Sequence, residues 1–545
     1  MKLEHYFPYD TPRPHQMETV HKILDAYSVH NFSGYVLEAP TGSGKSGTAY
    51  TAAKAILEHI PRDVVLRSGW KGPQIIVCTK DRSLQTQYDS SFIDATKLWS
   101  AKNYPCPYSP DDKEFYFGSP LCLKGACRKK GQCGYLAQKN KFMASEVGVL
   151  NYHYFLHSRK ICPQILILDE AHNIESILCG FMTILISAKT ARYVSDIIES
   201  YGIEDIDKIE DLAKAILDLD DIMVDSAKMK MEKYFSALGR IHAIIEAKIE
   251  KLQRENISFY DLQPYKKLGK VHSILDNLLN RYSHFKNSKV EWVISNHNET
   301  SLEIKPLEVY EVVSELSSMF NIFMSATICG FDEFCGTINI NPFKYDYYSV
   351  PTIIPSDNRK VFVTTNTGCL NMNNKGELLP IFTGIMDNFI DQLEANGPVR
   401  GIIHSVSYTN AKVIYDVSRH RGRMIIPETS QLMNINNLLR KRENTIIVSP
   451  AILEGVDLKD DLSRFQIFPK VPYGNLGDTW IKRKMQKNYS WYQREAALKI
   501  VQGSGRSIRS PEDWGVTLIL DNNFLKLLKK RNLFPKSFLD SIEYI

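Results

Sequence analysis

No run of roughly 18 consecutive apolar residues occurs in the chain, which argues against a membrane-spanning helix. The stretch Met1 to Asp10 carries no apolar core of the kind a secretory leader needs, so no signal peptide is expected. The expectation is an intracellular, soluble protein without membrane association: cytoplasmic or nucleoid-associated, or nuclear in a eukaryotic source. Internal repeats and low-complexity tracts are missing. Proline is absent between Pro163 and Pro264, which leaves room for long uninterrupted helices. Neither charge sign is in large excess: 67 basic and 62 acidic residues give a net charge of +5. That balance permits a local basic patch for nucleic acid without demanding one. Paired C-x₂-C knuckles are also missing, so a zinc ribbon is not expected. The ten cysteines give no sign of the disulfide framework of a small secreted domain.

What is present is enough chain, 545 residues, for three or four domains. Short apolar runs at Gly34–Glu38, Gln74–Cys78 and Ile165–Leu168 read as buried strands of a parallel sheet. A second α/β pattern from about residue 346 has strands suggested at Val361–Thr364, Arg400–His404, Thr445–Ser449 and Thr517–Leu520. In the proline-free interval, Ile209, Leu212, Ile216, Leu219 and Met223 recur at helical spacing. So do Leu238, Ile241, Ile245 and Leu252, and then Val271, Ile274, Leu278 and Tyr282. These stripes predict amphipathic helices packed as an ordinary bundle. A strand pair is expected near Lys289–Ser295 and Ser301–Lys305.

The first strand runs into Ala39-Pro-Thr-Gly-Ser-Gly-Lys-Ser46 and then into helix formers. That context turns a small-residue turn into a phosphate cradle. Backbone amides of Thr41, Gly42, Ser43 and Gly44 can face phosphate oxygens at a helix N-terminus. Lys45 would reach the β/γ-phosphates of ATP, and Ser46 would ligate Mg²⁺. The strict pattern has Gly where this chain has Ala39. The strand at 165–168 ends in Asp169-Glu170-Ala171-His172. Asp169 would hold Mg²⁺ and Glu170 would deprotonate the attacking water; His172 could couple this site to a second lobe. Alone, such an acid pair is only moderately specific, the alternative being a helix N-terminal charge pair. Far downstream, Gln502-Gly-Ser-Gly-Arg506-Ser-Ile-Arg509 falls on an expected helix from Trp491 to Ile508. Arg506 and Arg509 would share one of its faces and stabilise charge on the γ-phosphate; the bland reading is a solvated face.

Residues 99 to 141 hold Cys106, Cys122, Cys127 and Cys133, separated by 15, 4 and 5 residues. Four thiolates at irregular spacing suit a Cys₄ iron–sulfur cubane; zinc and unmetallated thiols remain the alternatives. Lys124, Arg128, Lys129 and Lys130 lie within the segment, either as phosphate contacts or as a solvated charge run. The remaining cysteines read as small core residues.

Taken together, these motifs resemble the XPD/DinG branch of superfamily-two helicases. Arg13-Pro-His-Gln16 looks like the adenine-reading motif of that branch, and Ala39–Ser46 is similar to its Walker A variant, alanine included. Thr79–Gln87 resembles motif Ia, and Asn151-Tyr152 with Phe155 the strand before motif II. Asp169–Asn173 is similar to motif II, Ser325-Ala-Thr327 to motif III and Gly401–Ser405 to motif IV. Ser449–Leu458 resembles motif V and Gln502–Arg509 motif VI. The resemblance implies that Gln16 contacts adenine and that Gln502, Arg506 and Arg509 complete the ATP site from the second lobe. It implies that Glu454, Gly455 and Asp457 link nucleotide state to the grip on DNA, and that the four cysteines hold a [4Fe–4S] cluster. Asn103-Tyr104-Pro105 resembles the usual lead-in to that cluster.

The expected fold is therefore α/β, with two RecA-like P-loop motor domains and two insertions in the first. Residues 1–98, 142–176 and 303–345 would form the first motor domain. Residues 99–141 would be the iron–sulfur domain, 177–302 a helical arch and 346–545 the second motor domain. The expected function is an ATP-dependent helicase, monomeric, working on single-stranded and forked DNA, with DNA–RNA hybrids as a further substrate. The family implies 5′-to-3′ movement. The competing reading is a redox-responsive DNA-binding protein that uses ATP as a switch, for which an intact Glu170 and motif VI would be superfluous. Tyr152, Phe155, Tyr473 and Trp480 lie in or near segments that match the family and are candidate base-stacking platforms, though such aromatics are more often core.

Overall fold

The computed structural model describes residues 3–60, 69–111, 113, 115–122, 130–158, 161–205, 208–217, 224–254, 262–297, 300–316, 318–450, 458, 460–508 and 510–545. Its first sheet has seven strands. In spatial order they are Tyr345–Ser349, Gly34–Glu38, Phe320–Ser325, Ile165–Asp169, Ile75–Thr79, Val147–Asn151 and Ala95–Lys97. Every pairing is parallel. The four strands at its centre are buried along their whole length, as a sheet covered on both faces requires.

A second seven-stranded sheet runs Met424–Ile425, Ile446–Ser449, Gly401–His404, Phe465–Phe468, Val516–Ile519, Val361–Val363 and Ile542–Tyr544. It too is parallel throughout. The molecule thus contains two parallel-sheet α/β units of RecA-like type. Ligands of such sheets bind beyond the carboxyl ends of the strands, and the motif residues after Glu38, Asp169 and Ser325 sit at that edge.

Residues between the strands Ile165–Asp169 and Phe320–Ser325 build a separate body. Ile184–Ser187, Ser301–Pro306 and Trp292–His297 form a small antiparallel sheet. Helices Ala188–Ser200, Ile209–Leu217, Val224–Arg254 and Lys266–Asn287 pack on it. The predicted stripes supply its core: Ile209, Ile216, Leu238, Ile241, Ile245 and Val271 are all buried there. Leu219 and Met223 lie outside the residues described. Phe115 and Leu121, from the cysteine-bearing segment, are buried in this same core, whereas Phe117 and Cys133 pack against the core of the first motor unit. The cysteine segment therefore spans the seam between the two bodies.

Three expectations need correction. The strand Tyr345–Ser349 pairs with Gly34–Glu38, so the first unit extends past residue 345 to Ser349. The antiparallel sheet runs to Pro306, so the helical insertion does not end at 302. The helix expected from Trp491 to Ile508 spans Tyr489–Ser504 and is capped by Gly505. The Gly-Ser-Gly run has low helix propensity, and Arg506 leaves the helix in the turn that follows. No helix among the described residues is long and apolar enough to cross a membrane.

Candidate nucleotide-binding cleft

A cleft of about 720 Å³ opens between the two parallel-sheet units, with Thr41, Gly42, Lys45, Glu170, His172, Thr327, Gln502 and Arg506 on its walls. Its floor is the P-loop. Gly42 and Gly44 take φ of 85° and 81°, a left-handed conformation that glycine adopts without strain. Gly44 is further constrained by Gln16: a β-carbon there would lie 2.4 Å from the Gln16 amide nitrogen. Gln16 is buried. It donates to Gly44 O at 2.9 Å and Thr48 Oγ1 at 3.3 Å, and accepts from Arg13 N at 2.7 Å. In this structure Gln16 braces the loop from behind instead of standing open on the cleft wall.

Lys45 heads the helix Lys45–His59 and places Nζ 2.6 Å from Glu170 Oε1 and 3.7 Å from Asp169 Oδ1. Burial works against its ammonium charge, but the two carboxylates outweigh it and its pKa is raised. Asp169 is raised, chiefly because it is buried. Glu170 goes the other way: burial would raise it, but Lys45 first and then His172 hold it below the usual carboxylate value. Glu170 has a φ of 51°, uncommon for a non-glycine residue, and such strain tends to collect at working sites. A residue the motif reading passed over sits between the acid pair and the P-loop. The Tyr88 hydroxyl lies 3.1 Å from both Ser46 Oγ and Asp169 Oδ2. Ser46 and Asp169 thus converge on one point, and a hydroxyl with a carboxylate is a donor set that fits Mg²⁺. Tyr88 directly follows the Thr79–Gln87 motif, which is the only signal the sequence offers for it.

From Glu170 a chain of polar contacts crosses the cleft. His172 Nδ1 is 3.5 Å from Glu170 Oε2 and 2.7 Å from Ser325 Oγ. Asn173 donates to His172 Nε2 at 2.8 Å, which leaves Nδ1 as the protonated nitrogen donating to Ser325. Ser325 Oγ accepts from Thr327 N at 3.1 Å, and Gln502 Nε2 donates to Thr327 Oγ1 at 3.2 Å. The acid pair, the Ser325–Thr327 turn and the Gln502 helix are therefore joined in series. Arg494, on that same helix and almost fully buried, donates to Ile328 O at 3.1 and 2.8 Å. Ile328 N in turn donates to the buried Glu38 carboxylate at 2.6 Å. Neither Arg494 nor Glu38 was singled out from sequence; an acid closing a buried strand just ahead of the P-loop was the available clue.

Arg506 shares the cleft with Lys45. Arg509, Glu454, Gly455 and Asp457 lie outside the described residues, and so does Cys127. Cys106, Cys122 and Cys133 are half-buried thiols, none in a disulfide. Gln253, on the long helix Val224–Arg254, donates to Pro120 O at 2.7 Å and Cys122 O at 3.3 Å, and Cys133 opens the helix Gly134–Ala144. Three half-buried cysteines on short turns are a donor set that fits an iron–sulfur cluster. Tyr152, Phe155 and Trp480 are buried core residues, and Tyr473 stacks on Tyr492 at 5.0 Å.

Two family models match: "Type III restriction enzyme, res subunit" over residues 10–194 and "Helicase C-terminal domain" over residues 390–540. The "ATP-dependent DNA helicase YoaA" of Haemophilus influenzae is 22% identical over 97% of this chain and 93% of its own length. Among solved structures, one described as "XPD_Helicase" aligns with 98% of this chain and 100% of its own, at a TM-score of 0.65 and 16% identity. "Structure of S. tokodaii Xpd4" covers the same shares at a TM-score of 0.61 and 14% identity. At such identities the structural likeness speaks for the fold.

Proposed function

We propose that this chain, which belongs to the XPD/DinG-type superfamily-two helicases, is an ATP-dependent motor that tracks single-stranded DNA and unwinds forked duplexes. The observation that carries the reading is the contact series from Glu170 through His172, Ser325 and Thr327 to Gln502. It ties the candidate base in one lobe to the candidate γ-phosphate sensor in the other. A passive nucleotide switch has no need of that link.

The site's own residues account for hydrolysis as follows. Lys45 pairs with Glu170 at 2.6 Å, which engages the base. An arriving γ-phosphate competes for the Lys45 ammonium and releases the Glu170 carboxylate, which then accepts a proton from the attacking water. Ser46 and Asp169 would hold Mg²⁺, which neutralises phosphate charge when bound. Arg506 and Gln502 approach the γ-phosphate from the second lobe, so lobe closure and hydrolysis become interdependent. Arg509, Glu454 and Asp457 are assigned to the same closure on resemblance alone, as is adenine contact by Gln16. Cys106, Cys122, Cys127 and Cys133 would hold a [4Fe–4S] cluster, which supplies a covalent brace for a segment too short for its own core. Movement in the 5′-to-3′ direction, action on DNA–RNA hybrids, a monomeric state, a nucleoid-associated location and a role in DNA repair or replication complete the proposal.

Lys45→Ala tests the cleft: DNA-stimulated ATPase should fall at least about a hundredfold, the loss typical of removing a group that stabilises developing charge. Gln502→Ala tests the link: turnover should drop while nucleotide affinity changes little. Full strand displacement of a forked duplex by either variant would overturn the proposal.

A further inference from the structure

The helical insertion carries a constellation that the motor reading leaves unused. His242 and Glu246 lie on the helix Val224–Arg254, and His272 lies on Lys266–Asn287. One potential ligand atom from each residue falls within 4.8 Å of both others. We propose that these three side chains form a binding site for a zinc-class divalent cation that clips the two helices together.

The site follows from how the helices meet. Contacts run in opposite senses along the pair: Glu232 with Lys286, Phe235 with Tyr282, then His242 with His272. The helices are therefore antiparallel, and a residue pair one turn apart on the first faces a single position on the second. His242 and Glu246 have that spacing and share a face. Phe235 and Tyr282 stack at 4.0 Å, which fixes the separation of the helices near the imidazoles. The His242 and His272 rings then lie 4.3 Å apart at 36°.

The chemistry selects a cation over an ordinary ring stack. His242 Nε2 is buried and has no hydrogen-bond partner among the described residues. A buried polar atom left so is disfavoured unless something satisfies it. A second imidazole and a carboxylate converge on the same place, and two imidazoles with one carboxylate are a known zinc donor set that leaves a fourth position for water. Glu246 is exposed, so that position opens to solvent and supplies an entry path. Nitrogen donors disfavour Mg²⁺ and Ca²⁺, which take oxygen ligands, and the lack of a thiolate in the trio disfavours Cu(I). Only the ligands' convergence across two helices reveals the site; the sequence spacing His-x₃-Glu is too common to have flagged it.

The test uses the full chain and Co²⁺, then Zn²⁺, as probes. Co²⁺ should add one equivalent with a weak d–d band and no thiolate charge-transfer band. That equivalent should survive Cys122→Ser and disappear in His272→Ala. Zn²⁺ should displace it and raise the thermal midpoint. Glu246→Gln, at an exposed position that tolerates substitution, should weaken Zn²⁺ at least about tenfold. The proposal is overturned if His272→Ala and Glu246→Gln bind the same amount of metal as the parent chain with unchanged affinity. It is equally overturned if the histidine-dependent equivalent never forms below millimolar metal.

Discussion

Trp491 Nε1 donates to Glu175 Oε2 at 2.7 Å across the boundary between the two lobes. Lys484 pairs with the other oxygen of the same carboxylate and lies over the rings of both Trp480 and Trp491, 5.6 and 5.4 Å from their centroids. Trp480 Nε1 donates to Pro306 O at 2.8 Å. Glu175 belongs to the helix Ile174–Met182, which directly follows the acid pair. Trp491 lies on the helix that ends in Gln502 and Ser504. This buried joint fastens the second lobe to the first, and none of its four side chains lines the nucleotide cleft.

Removing one member of a buried ion pair leaves the other charged and unsolvated, typically at about 3–5 kcal/mol. Glu175→Ala should therefore lower the unfolding free energy by roughly that amount. Trp491→Phe, which keeps an aromatic side chain but loses the indole N–H bond to a charged group and part of the packing, should cost about 2 kcal/mol. Chemical denaturation of the two variants checks the order. Equal losses would mean that packing, not the charge pair, holds the joint.

Tyr88 offers a sharper probe of the cleft than the motif residues themselves. Burial first, and then Asp169, push its phenol well above the ordinary value, so it stays protonated and keeps a proton to donate. Tyr88→Phe removes that donor from beside Ser46 and Asp169 and keeps the ring packing. The expected result is a several-fold increase in the Mg²⁺ concentration for half-maximal ATPase, with turnover at saturating Mg²⁺ nearly unchanged. A turnover loss that excess Mg²⁺ cannot restore would instead give Tyr88 a part in the chemical step.

The P-loop and part of each sheet were legible because their signals are local, whereas the buried strands Phe320–Ser325 and Phe465–Phe468 were not among those expected. Gly34–Glu38 and Ile165–Asp169 are short apolar runs, each abutting its motif, and a strand followed by glycines and a lysine reads the same way in any fold. What escaped were contacts made between distant segments. The strand Tyr345–Ser349 is only half-buried along its length and lacks the apolar run of a central strand, so its place beside Gly34–Glu38 was invisible. Arg494 looks like any surface arginine until its helix is docked against Ile328. The helix ends at Ser504, short of the expected Ile508, because Gly503 and Gly505 have low helix propensity.

The second lobe carries a pH-sensitive element in His404. Its imidazole is buried, stacks on Phe468 at 4.5 Å and meets Gln466 Oε1 at 2.8 Å through Nε2. Burial first, with the nearby Arg506 adding to it and the Gln466 bond opposing, brings the pKa down to about 4. In the unfolded chain the ring protonates near about 6.5. Between those values the unfolded state binds more protons, so stability is complete above about pH 6.5 and is lost as pH falls toward 4. The contribution is on the order of 3 kcal/mol. His404→Gln should flatten the acid limb of the stability curve relative to the parent; superimposable acid limbs would show that other groups set it.

The cysteine segment yields the last test. Leu121 is anchored in the core of the helical insertion and Cys133 packs on the motor core, so a cluster joining their turns would fix one body against the other. None of the described cysteines lines the nucleotide cleft, which separates cluster loss from ATP chemistry. Anaerobically purified protein should show a broad absorbance shoulder near about 400 nm, as iron–sulfur proteins do, and Cys122→Ser should abolish it. The variant should keep most of its ATPase while losing strand displacement, because the brace acts on geometry between bodies and not on the γ-phosphate. Stoichiometric zinc with no such shoulder in the parent protein would replace the cluster with a zinc site. Undiminished strand displacement by Cys122→Ser would remove the segment from the unwinding mechanism.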